Sequence, residues 1–252
     1  MKKTISVFLI LLSLSSYGQN ELSAVHEKAI SEFVNCFKNN DINKLCAKIN
    51  YPLNRENPLP SIKNCADLQK RFNEVFDKNI VAQIINSDIK KDWSAVGWRG
   101  IMFLSGDIWL DYDGKLIGVN YQSEAEKKHL ETLITDEKKI LNESIQNYFR
   151  PIYLIQTSKF KIRIDDMSDN TYRYASWAKN ADMKSQPSLI VENGKLEIEG
   201  TGGNHRFLFK KNEFLYEIDI IEIGENSSPP AILTVKKNNK TILSQNGIIL
   251  KK

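Results

Sequence analysis

The sequence predicts an α+β chain: a helical cone packed on an antiparallel sheet, followed by an all-β sandwich or small barrel. Three observations carry that reading. From Glu21 to about Asn86 apolar residues recur at three- and four-residue steps, as on one face of a helix. Over residues 97–121 the period falls to two, with Ser105-Gly106 and Asp113-Gly114 between the alternating runs. Residues 151–252 then break into about eight short alternating segments separated by turn residues.

In the first helix Leu22, Val25, Ala29, Phe33, Val34 and Phe37 make the apolar stripe. "NNDINKL" ends it and starts a short helix. Asp41 is the expected N-cap there, because a short polar side chain accepts from amides that a helix start leaves unpaired. "YPLNRENPLP" reads as a proline-rich loop. Asn64 caps the next helix, in which Leu68, Phe72, Val75 and Phe76 share a face, and "NIVAQII" carries the stripe to Ile85. "GWRGIMFLSGDIWLDYDGKLIGVNY" supplies three strands, so that helices and meander form two layers.

Residues 123–150 are charged and helical, and are expected as a linker, either one helix or a pair broken at Thr135-Asp136. Pro151 closes them. Beyond it, Phe160, Ile162 and Ile164 alternate with Lys161, Arg163 and Asp165. "LIVENGKLEIEG" reads as a hairpin about Asn193-Gly194, and "HRFLFKKNEFLYEIDIIEIG" as two strands about Asn212.

The opening "MKKTISVFLILLSLSSYGQ" has two lysines, an apolar run over 5–14, and small residues before Gly18. These are the parts of a secretory signal peptide, with cleavage expected after Gly18. The run is too short to span a bilayer, which takes roughly 20 residues. The expected organisation is therefore 1–18 signal peptide, 19–122 cone-like domain, 123–150 helical linker and 151–252 antiparallel β domain, in the periplasm or secreted. Losing Lys2 and Lys3 lowers Lys+Arg from 35 to 33 against 31 Asp+Glu, a net charge near +2. So balanced a chain excludes nucleic acid as its main partner, and no second apolar run suggests a membrane span in the mature chain. The "YGQ" ending resembles signal peptides of Bacteroidetes-type bacteria.

The order helix, short helix, helix, curled sheet resembles the nuclear transport factor-like cone, shared with ketosteroid isomerase and grouped as cystatin-like. The residues that carry it are "FVNCFKNNDINKL", "DLQKRFNEVFD" and the 97–121 meander, within about 21–122. The resemblance implies a pocket between helices and sheet, used in that family for catalysis or ligand binding. No histidine occurs from 27 to 128, so a histidine-based catalytic pair does not carry over.

Cys36, Cys46 and Cys65 are an odd set for an exported chain: one structural disulfide is expected, with three pairings open. Their spacing matches no zinc pattern, and Asp165, Asp166 and Asp169 read as solvated turn acids. No metal and no cofactor is therefore expected.

Two stretches are candidate sites. In "TYRYASW" alternation sends Tyr172 and Tyr174 to one face and Arg173 and Trp177 to the other. One face must be core, and the other is available to bind. "GTGGNHR" is not a dinucleotide-binding fingerprint, but His205 and Arg206 in it can hydrogen-bond a ligand. In the cone, Trp98, Asp107 and Trp109 would line an open pocket, with Asp107 or Asp111 as a general base. If the cone is filled, they only pack it. With no nucleophile, zinc or phosphate motif present, the expected function is a non-catalytic binding protein of the envelope that contacts a protein or glycan through the β domain. Its narrower version is a hydrolase inhibitor or immunity protein, and its rival is an enzyme using the cone.

Overall fold

The computed structural model describes residues 22–251; the Met1–Gly18 leader lies outside them. The chain is α+β and divides into two compact units. One runs to Leu53 and resumes over Lys63–Tyr121; the other joins Asn54–Ile62 to Gln122 and beyond.

The first unit has helices α1 (Ala24–Lys38), α2 (Ile42–Ala47), α3 (Cys65–Val75), α4 (Lys78–Ile85) and α5 (Ile89–Asp92). Asp41 and Asn64 cap as their types dictate: each side chain accepts from the amide three residues on, Lys44 and Asp67, at 3.0 Å. Strands β1 (Trp93–Ala95), β2 (Ile101–Phe103), β3 (Ile108–Leu110) and β4 (Leu116–Val119) form an antiparallel sheet in chain order. The expected strand through Trp98-Arg99 is instead a 3-10 turn, Gly97–Arg99. The chain leaves that turn at Gly100, whose φ is 104° and where an added Cβ would sit 2.3 Å from the Leu110 carbonyl oxygen. Only glycine fits there.

The inner face of this sheet is packed. Trp93, Ile101, Phe103, Ile108 and Leu110 are at most 2% exposed. The Trp93 ring lies 6.1 Å from Phe33 and 4.6 Å from Phe103, and Phe37 packs edge-on to Phe76 at 5.3 Å. Cys46 and Cys65 form the disulfide, across 19 residues, while Cys36 is a buried thiol.

The second unit is a closed barrel of eight antiparallel strands in which each strand pairs with the next: β5 (Arg150–Thr157), β6 (Phe160–Asp166), β7 (Tyr172–Ala178), β8 (Leu189–Ile198), β9 (His205–Lys211), β10 (Phe214–Ile220), β11 (Ala231–Lys237) and β12 (Lys240–Lys251). β12 closes on β5 through Gly247↔Thr157 and Ile249↔Ile155. The inner positions, such as Ile164, Tyr174, Phe209, Ile218 and Leu233, form one apolar core. Arg206, Asp219 and Lys236 take the alternate, outward positions, the reverse of a lipid-facing barrel wall. No helix among the described residues is long and apolar enough to cross a membrane.

Asn193-Gly194 does not close a hairpin. Both residues lie inside one ten-residue strand, β8, with Asn193 at φ 59° and the pairing with β7 shifting register opposite them. The result is a bulge. An added Cβ at Gly194 would come 2.2 Å from the Phe209 ring, so the glycine lets the barrel core close over β8.

Residues 123–150, expected as a linker, belong to the second unit. Helix α6 (Glu124–Lys139) runs unbroken through Thr135-Asp136. Leu141, Ile145 and Tyr148 then bury themselves against Ala175 and Trp177, on the outer face of β7.

Candidate functional site

The β7 residues do not form an exposed binding face, because both of its sides are covered. Tyr174, 2% exposed, points into the barrel core, and Tyr172 is half-buried. On the outer side Arg173 and Trp177 are 2% and 1% exposed beneath residues 141–148. The Trp177 indole donates to the Ser185 carbonyl at 2.9 Å. The Arg173 guanidinium donates to Asp165 at 2.7 Å and to the carbonyls of Ile145 and Asn147. Arg163 bridges Asp165 at 2.6 Å and Glu137 at 3.2 Å, with the Tyr148 ring 4.7 Å from its guanidinium. These groups fasten the 137–148 segment to the barrel; they are not available to a ligand.

The two predicted stretches nevertheless meet. In a consecutive antiparallel barrel, β5, β7, β9 and β11 all start at one end, where β6, β8, β10 and β12 finish. Tyr172 and His205 are thus the first residues of β7 and β9 at a common rim. Both rings pack on Phe207, at 4.9 and 5.6 Å. The His205 Nδ1 lies 2.7 Å from the Gly203 carbonyl, which can only accept, so Nδ1 carries the proton. Nε2 then accepts from the Tyr153 hydroxyl at 3.1 Å. Burial, with Glu222 adding to it, pushes the Tyr153 hydroxyl pKa up, so Tyr153 stays a neutral donor. Arg206 faces outward and is held by Asp219 and Glu199.

Beside this rim lies a cleft of about 690 Å³, inside the range of small-ligand sites. It exists because the barrel wall is notched. Lys251↔Leu154 is the last β12–β5 pair among the described residues, and none of them forms a strand beside Arg150–Tyr153 on that side. The proline-rich segment 54–61 lies there instead, as a strap. The Asn57 amide donates to the Pro151 and Ile152 carbonyls at 3.2 and 3.3 Å. Arg55 makes a buried fork with Glu126, which Ser123 positions at the start of α6. Glu56 accepts from Arg150 at 2.6 Å, and Arg150 also donates to Asp166 at 3.0 Å. Tyr153, Ile152, Ile249 and Leu250 form the apolar part of the lining.

No protein-family model, curated protein or solved structure matches the chain.

In the first unit, Trp98 is 64% exposed, and with Trp109, Arg99, Ile117, Gly118 and Asn120 it lines a shallow hollow. Trp109 donates to the Gly106 carbonyl at 3.0 Å. Asp107 is half-buried, and its backbone carbonyl accepts from the amides of Asn120 and Tyr121. The strap and Arg150 were missed by sequence reasoning. The local signal is the S-x-x-E pattern at Ser123–Glu126, the capping-box spacing, whose glutamate side chain accepts from Arg55.

Proposed function

We propose that the protein is an exported binding protein without catalysis of its own, acting in the envelope and contacting its partner through the β unit at the strapped end of the barrel. The observation that carries this reading is the cleft of about 690 Å³ beside Tyr153, whose lining combines Arg150 and Lys251 with the apolar Ile152, Ile249 and Leu250. A cleft of that size and mixed lining suits holding a ligand. The first unit keeps its resemblance to the nuclear transport factor-like cone as a proposed kinship, supported by its helices and four-stranded sheet.

The test fills the cleft from its edge. Asn54 is exposed and lines it, so Asn54→Trp should leave folding intact and abolish recovery of an envelope partner by cross-linking. Trp98→Ala should leave that recovery unchanged. If the partner is lost with Trp98→Ala and kept with Asn54→Trp, the contact surface is on the other unit and the reading is wrong.

A further inference from the structure

We infer that the cleft receives the carboxyl-terminal end of an extended peptide, an inference that rests on reading the cleft as the ligand site. The argument begins with which hydrogen-bonding groups are already used. Both Glu56 carboxylate oxygens are engaged, one by Arg150 and one by the Gln122 amide. The Asn54 amide oxygen accepts from Ser61 at 3.1 Å. The Asn57 amide nitrogen is spent on the carbonyls of β5. Among what remains unspent, the charged groups are donors. Arg150 uses Nε and Nη1 on Asp166 and Glu56, and its Nη2 has no partner among the described residues. The Lys251 ammonium, half exposed, is paired with Glu137 at 3.5 Å and has no second partner among the described residues. The Asn54 amide nitrogen is likewise unengaged among the described residues. Against these stand, among the described residues, three neutral side-chain acceptors with no donor: the Asn57 amide oxygen and the Ser61 and Tyr153 hydroxyl oxygens.

Unspent donors, two of them cationic, set against neutral acceptors call for an anionic ligand, and a guanidinium edge beside an ammonium suits a carboxylate. The rest of the lining says what carries it. The cleft lies beside the last β12–β5 pair among the described residues, Lys251↔Leu154, and alongside the strap that Asn57 ties to the first residues of β5. Ile152, Leu250 and Leu59 line it. An extended peptide end fits such a place: it lies in the cleft beside the strap, its apolar side chains meet these residues, and its terminal carboxylate reaches Arg150 and Lys251.

The test uses the full chain to select from a random heptapeptide library with free carboxyl ends, with the same library amidated as control. Peptides with an apolar residue near a free carboxyl end should be selected, and amidation should weaken them about tenfold or more, the loss of a charge-assisted hydrogen bond. Lys251→Gln should weaken binding by a similar factor; because Lys251 also pairs with Glu137, binding is compared at a temperature below the measured melting transition of both proteins. This variant stands beside Arg150→Ala, which also removes the Glu56 and Asp166 pairs. Equal affinity for acid and amide, or selection insensitive to both variants, overturns the inference. If no peptide is selected but an oligogalacturonide binds and Asn54→Trp removes it, the peptide is wrong while the cleft reading survives. Should neither ligand bind and Asn54→Trp leave the envelope partner in place, both fall.

Discussion

Arg55 and Glu126 meet fork to fork in the interior of the second unit, with 2% and 0% of their side chains exposed. The pair joins the strap to the first turn of α6 and so fixes one wall of the cleft. Removing one partner leaves the other charged and buried, which costs about 3–5 kcal/mol, whereas replacing both with apolar groups of similar size is often neutral. Glu126→Leu alone should therefore lower the urea midpoint strongly, and Arg55→Met with Glu126→Leu should recover most of the loss. A double variant no better than the single would mean that the pair's other contacts dominate.

Trp177→Ala tests the assignment of β7 as structure. The indole is buried against Leu141, Ile145 and Tyr148, so truncation should cost about 3–5 kcal/mol and release the 141–148 segment. Hydrogen exchange at those residues should rise together with the fall in the denaturation midpoint. A stable variant with unchanged exchange would show that the tryptophan is not what holds the segment down.

How far the fold could be read in advance follows from how local each determinant is. Asp41 and Asn64 act on amides three residues away, so their caps were legible. The strands of the barrel were legible because alternation is a local property. The role of Asn193-Gly194 was not. The pair has the same conformational meaning in a hairpin and in a bulge, and Phe209, in the neighbouring strand, decides between them. Alternation likewise sorted Tyr172 and Tyr174 from Arg173 and Trp177, but said nothing about residues 141–148 covering the second face. The cleft was illegible for the same reason: Arg55 finds its partner 71 residues on, and Glu56 and Asn57 find theirs in β5, 94 residues on.

The disulfide gives a third expectation. Cross-linking Cys46 to Cys65 restricts the unfolded chain over 19 residues, worth about 3 kcal/mol in the chain-entropy account. The strap residues lie within that loop. Cys46→Ala with Cys65→Ala should lower the denaturation midpoint by a corresponding amount. Cys36, whose thiol pKa burial pushes up, should react with a maleimide only after unfolding. Rapid labelling of the folded protein would contradict the buried position.

Acid should loosen the outer layer of the barrel through Glu137. Burial raises its pKa, but the Arg163 guanidinium at 3.2 Å, with Lys251 and the Tyr148 hydroxyl, brings it below the ordinary value of 4.5. A carboxyl with a depressed folded pKa contributes stability that is complete above its unfolded pKa and is lost as pH falls through the folded one. Glu137→Gln should therefore be less stable than the parent at neutral pH, and the difference should shrink as the pH drops below 4.5. Urea midpoints of the two proteins, measured across that range, check it. The protonated parent and the glutamine variant present nearly the same neutral group to Arg163, so their midpoints converge in acid; a gap that stays constant with pH would mean that Glu137 is not the group that titrates.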